Sequence, residues 1–174
     1  MAVTQNSSNL ALAPNGVAPG TVLPLSTVTL CGSSVNIPIG IRIGSRVRIT
    51  ALLTNSATLQ TLTHSLRYGT TGTNADASLV GGAIAVGTAA VGGALVVAEF
   101  VVLSATTASA SIQVFNGGTT AGTTGLTTLP CQTLCTTTTA TISTSVANLL
   151  GLYLSDSIAS VITVRSVTYE VAPP

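Results

Sequence analysis

Residues 46–53, Arg46-Val47-Arg48-Ile49-Thr50-Ala51-Leu52-Leu53, place Val47, Ile49, Ala51 and Leu53 on one side and Arg46, Arg48 and Thr50 on the other. Successive side chains of a strand point to opposite faces, so this stretch reads as a β-strand with an apolar face turned inward. Residues 61–68 repeat the pattern: Leu62, His64, Leu66 and Tyr68 alternate with Thr61, Thr63, Ser65 and Arg67, and Gly69 with the threonines after it ends the run. Two half-buried strands close together in the chain point to antiparallel sheets with one solvated side.

Short Val, Ile, Leu and Thr runs, broken by Gly, Pro and Asn about every ten residues, extend this reading in both directions. Val22 to Leu30, Val35 to Ile43 (interrupted by Pro38), Leu95 to Leu103, Ala110 to Phe115, Thr136 to Ser143, Leu149 to Leu154 and Ile158 to Val171 are the further candidates. Leu95 to Leu103 is apolar on both faces apart from Glu99, as suits a strand covered on both sides. No segment has a helical period. The expected fold is all-β: an antiparallel, jelly-roll-like β-sandwich of about eight to ten strands. It spans residues 21–174, preceded by an extended N-terminal arm, residues 1–20, in which Leu10, Leu12 and Val17 are apolar handles for a neighbour.

Residues 78–98 carry no charge and are long enough for a bilayer-spanning helix. The pairs Gly81-Gly82 and Gly92-Gly93, with Gly87 between them, fit two strands and turns better, and no Lys or Arg anchors either flank. No membrane association is expected. Gly-Thr-Thr recurs at Gly69, Gly118 and Gly122 without a constant period, so a solenoid is not expected.

Of the 174 residues 46% are hydrophobic, only 5% are charged, and lysine and tryptophan are absent. Soluble domains ordinarily carry about a quarter charged residues. Threonine, about a sixth of the chain, supplies much of the polar surface here. So neutral a surface suggests a subunit of a larger assembly. Five arginines against four carboxylates give no field for nucleic acid. Arg42, Arg46 and Arg48 form the one cluster, read as a solvated or inter-subunit salt-bridge face. The first twenty residues have no basic residue and no continuous apolar stretch, so a secretory signal is not expected, and an odd cysteine count agrees with a cytosolic site of synthesis.

Chemistry has few candidates. Any imidazole-based triad must pass through His64, the one histidine, and its neighbour Ser65 points to the opposite face of a strand. A histidine held within a β-face is the simpler reading. Cys131 and Cys135 could close a local disulfide or join Cys31 and His64 around zinc, but free thiols are expected. Asp76, Glu99, Asp156 and Glu170 are scattered singly, and no sugar-stacking tryptophan accompanies them. No nucleophile elbow, phosphate loop or dinucleotide fingerprint is present. No catalytic, cofactor or metal residue is assigned, and an enzyme is not expected.

Ile37-Pro38-Ile39-Gly40-Ile41-Arg42-Ile43-Gly44, Arg46-Val47-Arg48-Ile49 and Leu66-Arg67-Tyr68-Gly69-Thr70-Thr71-Gly72 with Asp76 after it, together with the closing Ser155 to Val171 stretch, resemble small jelly-roll decoration (cement) proteins of tailed-bacteriophage heads and the related knobs of head and tail fibres. The likeness covers about Leu25 to Val171 and departs in lacking a central-strand tryptophan, where Glu99-Phe100 stands. The resemblance implies a homotrimer on the capsid surface where major capsid protein subunits meet, with the arm clamping neighbours and no cofactor. The competing expectation is the receptor-binding head of a trimeric fibre, recognising a host glycan or protein.

Overall fold

The computed structural model describes residues 12–13, 16, 20–23, 27–55, 60–86, 92–117, 132–158 and 162–174. Among them are eleven strands and no helix: β1 (Leu12–Ala13), β2 (Thr29–Leu30), β3 (Ser34–Ile37), β4 (Arg46–Asn55), β5 (Gln60–Gly69), β6 (Ala77–Val86), β7 (Gly92–Val102), β8 (Thr107–Gly117), β9 (Gln132–Thr141), β10 (Asn148–Asp156) and β11 (Ile162–Ala172). All pairings are antiparallel. One sheet runs β1-β3-β10-β5-β6, with β2 also on β10, and the other runs β11-β4-β7-β8-β9. The chain is an antiparallel β-sandwich, as its alternating pattern requires. Its strand order combines an interleaved β3-β10-β5 arrangement with a β7-β8-β9 meander.

The alternation sorts residues as the sequence indicates. Val47, Ile49, Ala51 and Leu53 of β4 and Leu62 and Leu66 of β5 are buried in one core with Leu150, Leu152 and Leu154 of β10. Near the end of the sandwich that carries the β5–β6 and β7–β8 connections the join between the layers is aromatic: Tyr68 of β5 stacks on Phe100 of β7 with ring centroids 5.6 Å apart. Phe100 is paired in register with Val47 on one side and Ala110 on the other, and small Ala110 leaves room for the ring. The Tyr68 hydroxyl donates to the Ser143 carbonyl at 2.7 Å, so the same side chain ties the core to the β9–β10 connection.

Each lateral edge carries a few bonds beyond the ladders. Residues 20–23 run along β11, with Gly20 N donating to Val164 O (2.7 Å), Val164 N to Thr21 O (3.0 Å) and Leu23 N to Ile162 O (2.8 Å). Across the gap between layers, the Tyr169 hydroxyl of β11 donates to Ser33 O and accepts from Ser33 N beside β3. At the other edge Thr138 Oγ1 of β9 donates to Leu79 O of β6 at 2.7 Å.

Three boundaries differ from the sequence reading. Val22 to Leu30 is divided between layers, because Val22 bridges Thr163 of one sheet while Thr29 and Leu30 pair with β10 of the other. The run from Val35 stops at Ile37; Pro38 has no amide hydrogen for a ladder, and Gly40 (φ 71°) and Gly44 (φ 88°) turn the chain through left-handed backbone. Ile158, where the sequence reading starts the last strand, lies in a bend instead, and the Asp156 carboxylate accepts from both Ile158 N and Ile162 N; residues 159–161 lie outside the described residues. Residues 78–98, tested above as a bilayer helix, fall in β6 and β7 apart from 87–91, which lie outside the described residues. Within the segment read as an arm, Leu12 and Ala13 pair with Val35 and Ser34 of the same chain.

Removing the Phe100 ring opens the aromatic join, so Phe100→Ala is expected to cost about 3–5 kcal/mol. Tyr68→Phe keeps the stack, loses only the bond to Ser143 O, and is expected to cost about 1 kcal/mol. Urea unfolding of both variants checks the order; equal losses would show that the stack does not join the layers.

Candidate functional site

Among the described residues the buried polar groups stand apart from one another. His64 lies on the inner face of β5, paired in register with Leu154 of β10 and with Gly82 of β6. It is 1% exposed, and neither ring nitrogen has a hydrogen-bond partner. Burial disfavours the imidazolium and lowers its pKa; the nearby Leu62 backbone opposes that shift without a well-formed bond. Nothing among the described residues hydrogen-bonds the ring to orient it as a base. Cys31 is buried with a free thiol, pushed up to about 12 by desolvation, so its reactive thiolate is suppressed. Cys131 lies outside the described residues.

The buried carboxylates hold loops. Asp76 accepts from Thr71 N (3.1 Å), Thr71 Oγ1 (2.7 Å) and Gly72 N (2.8 Å), closing the β5–β6 connection, while Asp156 fixes the turn before β11. Arg67 spans the same connection, donating to Asn74 O and Asp76 O, and sits over the Tyr153 ring. Among the described residues no group of three or more His, Cys, Asp or Glu could hold a metal ion.

The surface is more informative. Arg46 and Arg48 project from the outer face of β4 toward carboxylates on the strands either side. Arg46 Nη1 lies 3.2 Å from Glu99 Oε1, Arg48 Nη2 lies 3.7 Å from the same oxygen, and Arg48 Nη1 lies 3.6 Å from Glu170 Oε2. The row Glu170-Arg48-Glu99 crosses β11, β4 and β7 in register. It accounts for the one charge in the otherwise apolar β7 run. Exposed pairs of this type each contribute about 0–1 kcal/mol, so the row matters more for setting the charge of the face than for holding the sheet.

Arg42 behaves differently: it is exposed in the β3–β4 connection, and its guanidinium pairs with no carboxylate among the described residues. Leu12 is in β1, whereas Leu10 and Val17 lie outside the described residues. Of the six residues expected to touch a partner, Arg42 is the one that the structure leaves both described and uncommitted.

Arg42 also stands in company that the sequence reading missed. The connections β3–β4, β5–β6, β7–β8 and β9–β10 lie at one end of the sandwich, where Ile39 (65% exposed), Ile43 (61%), Leu103 (47%) and Val146 (46%) face solvent. The signal was the Ile39-Gly40-Ile41-Arg42-Ile43 stretch itself, whose isoleucines read as strand rather than as loop because β-branched residues ordinarily mark strands.

No protein-family model matches the chain, and no curated protein or solved structure matches it.

Burial of His64 makes stability depend on pH with a definite sign. Unfolded, the imidazole titrates near 6.5; folded, its pKa is lower. Above 6.5 both states are neutral and the group contributes no slope. As pH falls through 6.5 the unfolded chain binds a proton that the folded chain refuses, so stability drops by up to about 1.4 kcal/mol per pH unit. Urea midpoints at pH 7.5 and 5.5 should therefore differ more for the native chain than for His64→Leu; parallel losses would place the acid sensitivity elsewhere.

Proposed function

We propose that this chain is a non-enzymatic structural protein of a bacteriophage virion, a homotrimeric decoration protein that bridges major capsid protein subunits. The observation that carries the reading is the pairing of a nearly uncharged sandwich with apolar surface left uncovered at one end. Contiguous exposed apolar groups of this kind mark interaction sites. A bound copy removes apolar area from water at two neighbouring capsid subunits and lowers the free energy of the intact shell relative to its parts. The histidine, the described thiol and the buried carboxylates are each held inside the fold or committed to it, which suits a role in packing. The composition and the phage-like strand and turn pattern support the same reading.

Self-association has its own support on the outer face of the β11-β4-β7-β8-β9 sheet. Leu52, Leu95 and Phe115 occupy one cross-strand row, with Val97 beside it, all at least partly open to water. The Glu170-Arg48-Glu99 row, with Arg46 attached, pairs both carboxylates of that face and leaves Arg165, bonded to Thr54, as its one further charge, so the face has only a small net charge to drive copies apart.

Light scattering of the purified chain is expected to give three times the mass of one chain, and Leu52→Arg, which puts an unpaired cation in the apolar row, is expected to give monomers with little loss of fold. Shells decorated with the native protein should withstand several degrees more heat than bare shells. A monomeric native chain that neither binds nor protects shells contradicts the proposal, and binding to host cells instead of shells would favour the receptor-binding head.

A further inference from the structure

The apolar loop end described above has three properties that together define a docking face. It is apolar: four of the seven large hydrophobic residues exposed among the described residues, Ile39, Ile43, Leu103 and Val146, lie there. It is also rigid for a loop surface. Gly40 N donates to Thr144 O (2.9 Å), Gly44 N to Val102 O (2.8 Å), Val102 N to Ser45 O (3.0 Å) and Ile142 N to Thr106 O (2.9 Å). Thr144 Oγ1 adds a bond to Ala105 O at 3.0 Å, and the Asn148 amide donates to both Ser143 O and Val146 O. These bonds run between the β3–β4, β7–β8 and β9–β10 connections, so the exposed side chains stand on a backbone that is already ordered. A preformed surface loses little further conformational entropy on binding.

Its third property is charge. Arg42 is exposed within the patch and unpaired, whereas Asp76, the carboxylate in the neighbouring β5–β6 connection, is 8% exposed and turned onto Thr71 and Gly72. The patch therefore presents apolar side chains around one arginine and no unpaired Asp or Glu side chain among the described residues. Chemistry complementary to that is an apolar protein surface with a carboxylate at its centre.

We infer that this loop end is the face by which the protein attaches to the shell, and that its partner is an apolar surface of the major capsid protein carrying an Asp or Glu opposite Arg42. The inference rests on the decoration reading given above and names the site through which it operates. A second copy meeting the same end through a two-fold axis is the poorer occupant, since it would set Arg42 against Arg42 in an apolar contact. An anionic membrane is poorer too: interfacial binding of that kind is built from several Lys or Arg residues around the apolar group, and this patch has one.

The test uses the full-length protein and shells assembled from the major capsid protein encoded with it. Bound copies per shell are measured by sedimentation for the native chain, Ile39→Ser/Ile43→Ser, Arg42→Glu and, as a control at the opposite end, Ile158→Ser. All the changed side chains are exposed, and thermal unfolding verifies that each variant folds. The double serine variant and Arg42→Glu are each expected to bind at least about tenfold more weakly, while Ile158→Ser binds as the native chain does. Native binding that survives both loop-end changes overturns the inference and leaves the decoration reading standing. Failure of the native chain to bind shells overturns both. Loss of self-association in the serine variant, or capture of the native chain by phosphatidylcholine vesicles containing phosphatidylserine, would assign the face to a second copy or to a lipid surface and overturn it as well.

Discussion

The structure depends on the facing of two apolar layers, with Tyr68 stacked against Phe100 near the loop end of their contact. Once the inner faces of β4, β5, β7, β8 and β10 are committed to that contact, every alternate residue is sent outward, and the threonines, serines and few ions have their positions assigned. Hydrophobic burial is non-directional, so it does not itself choose strand partners. The two-residue period does, because a slip of one residue would turn Val47, Ile49, Ala51 and Leu53 to water. The bonds at the edges follow from the same constraint: residues 20–23 along β11, Tyr169 on the Ser33 backbone and Thr138 on Leu79 lie at the margins of a core that has almost no charge around it to discourage pairing with another chain.

That dependence explains which features were legible beforehand. Residues 46–53 and 61–68 declare their faces by alternation, and both strands bury the inner residues that the pattern assigns, though Ser65 on the other face of β5 is buried as well, beside Tyr153. The two-sided β7 run was legible as covered, yet its Glu99 was not explicable, because Arg46 and Arg48 are about fifty residues away and only register brings them opposite. Residues 22–30 look like one strand because hydrophobicity does not report that the chain changes layers within it. Ile39 and Ile43 look like strand residues for a similar reason: Pro38, Gly40 and Gly44 outweigh β-propensity there, and what results is exposed loop.

The candidate site was less legible than the fold. Arginines attract attention in a chain with so few charges, but two of the three clustered ones neutralise carboxylates of their own sheet. What distinguishes Arg42 is the absence of any such partner among the described residues and the presence of apolar neighbours contributed by three connections. A docking surface assembled from separate loops leaves no local signature, since each loop contributes one or two residues. His64 stands out in the sequence as the one histidine, and its buried place beside Leu154 and Gly82 brings an energetic penalty in acid.

The central claim, that a neutral sandwich decorates a shell and is seated on it by one end, is tested most directly by electron cryo-microscopy of particles carrying the protein. The account predicts three copies of the β-sandwich around contacts between capsid subunits, with residues 38–45 and 103–106 against the shell and the opposite end pointing away. Density for the protein at a tail or fibre tip, or on the shell with those residues facing solvent, would contradict it.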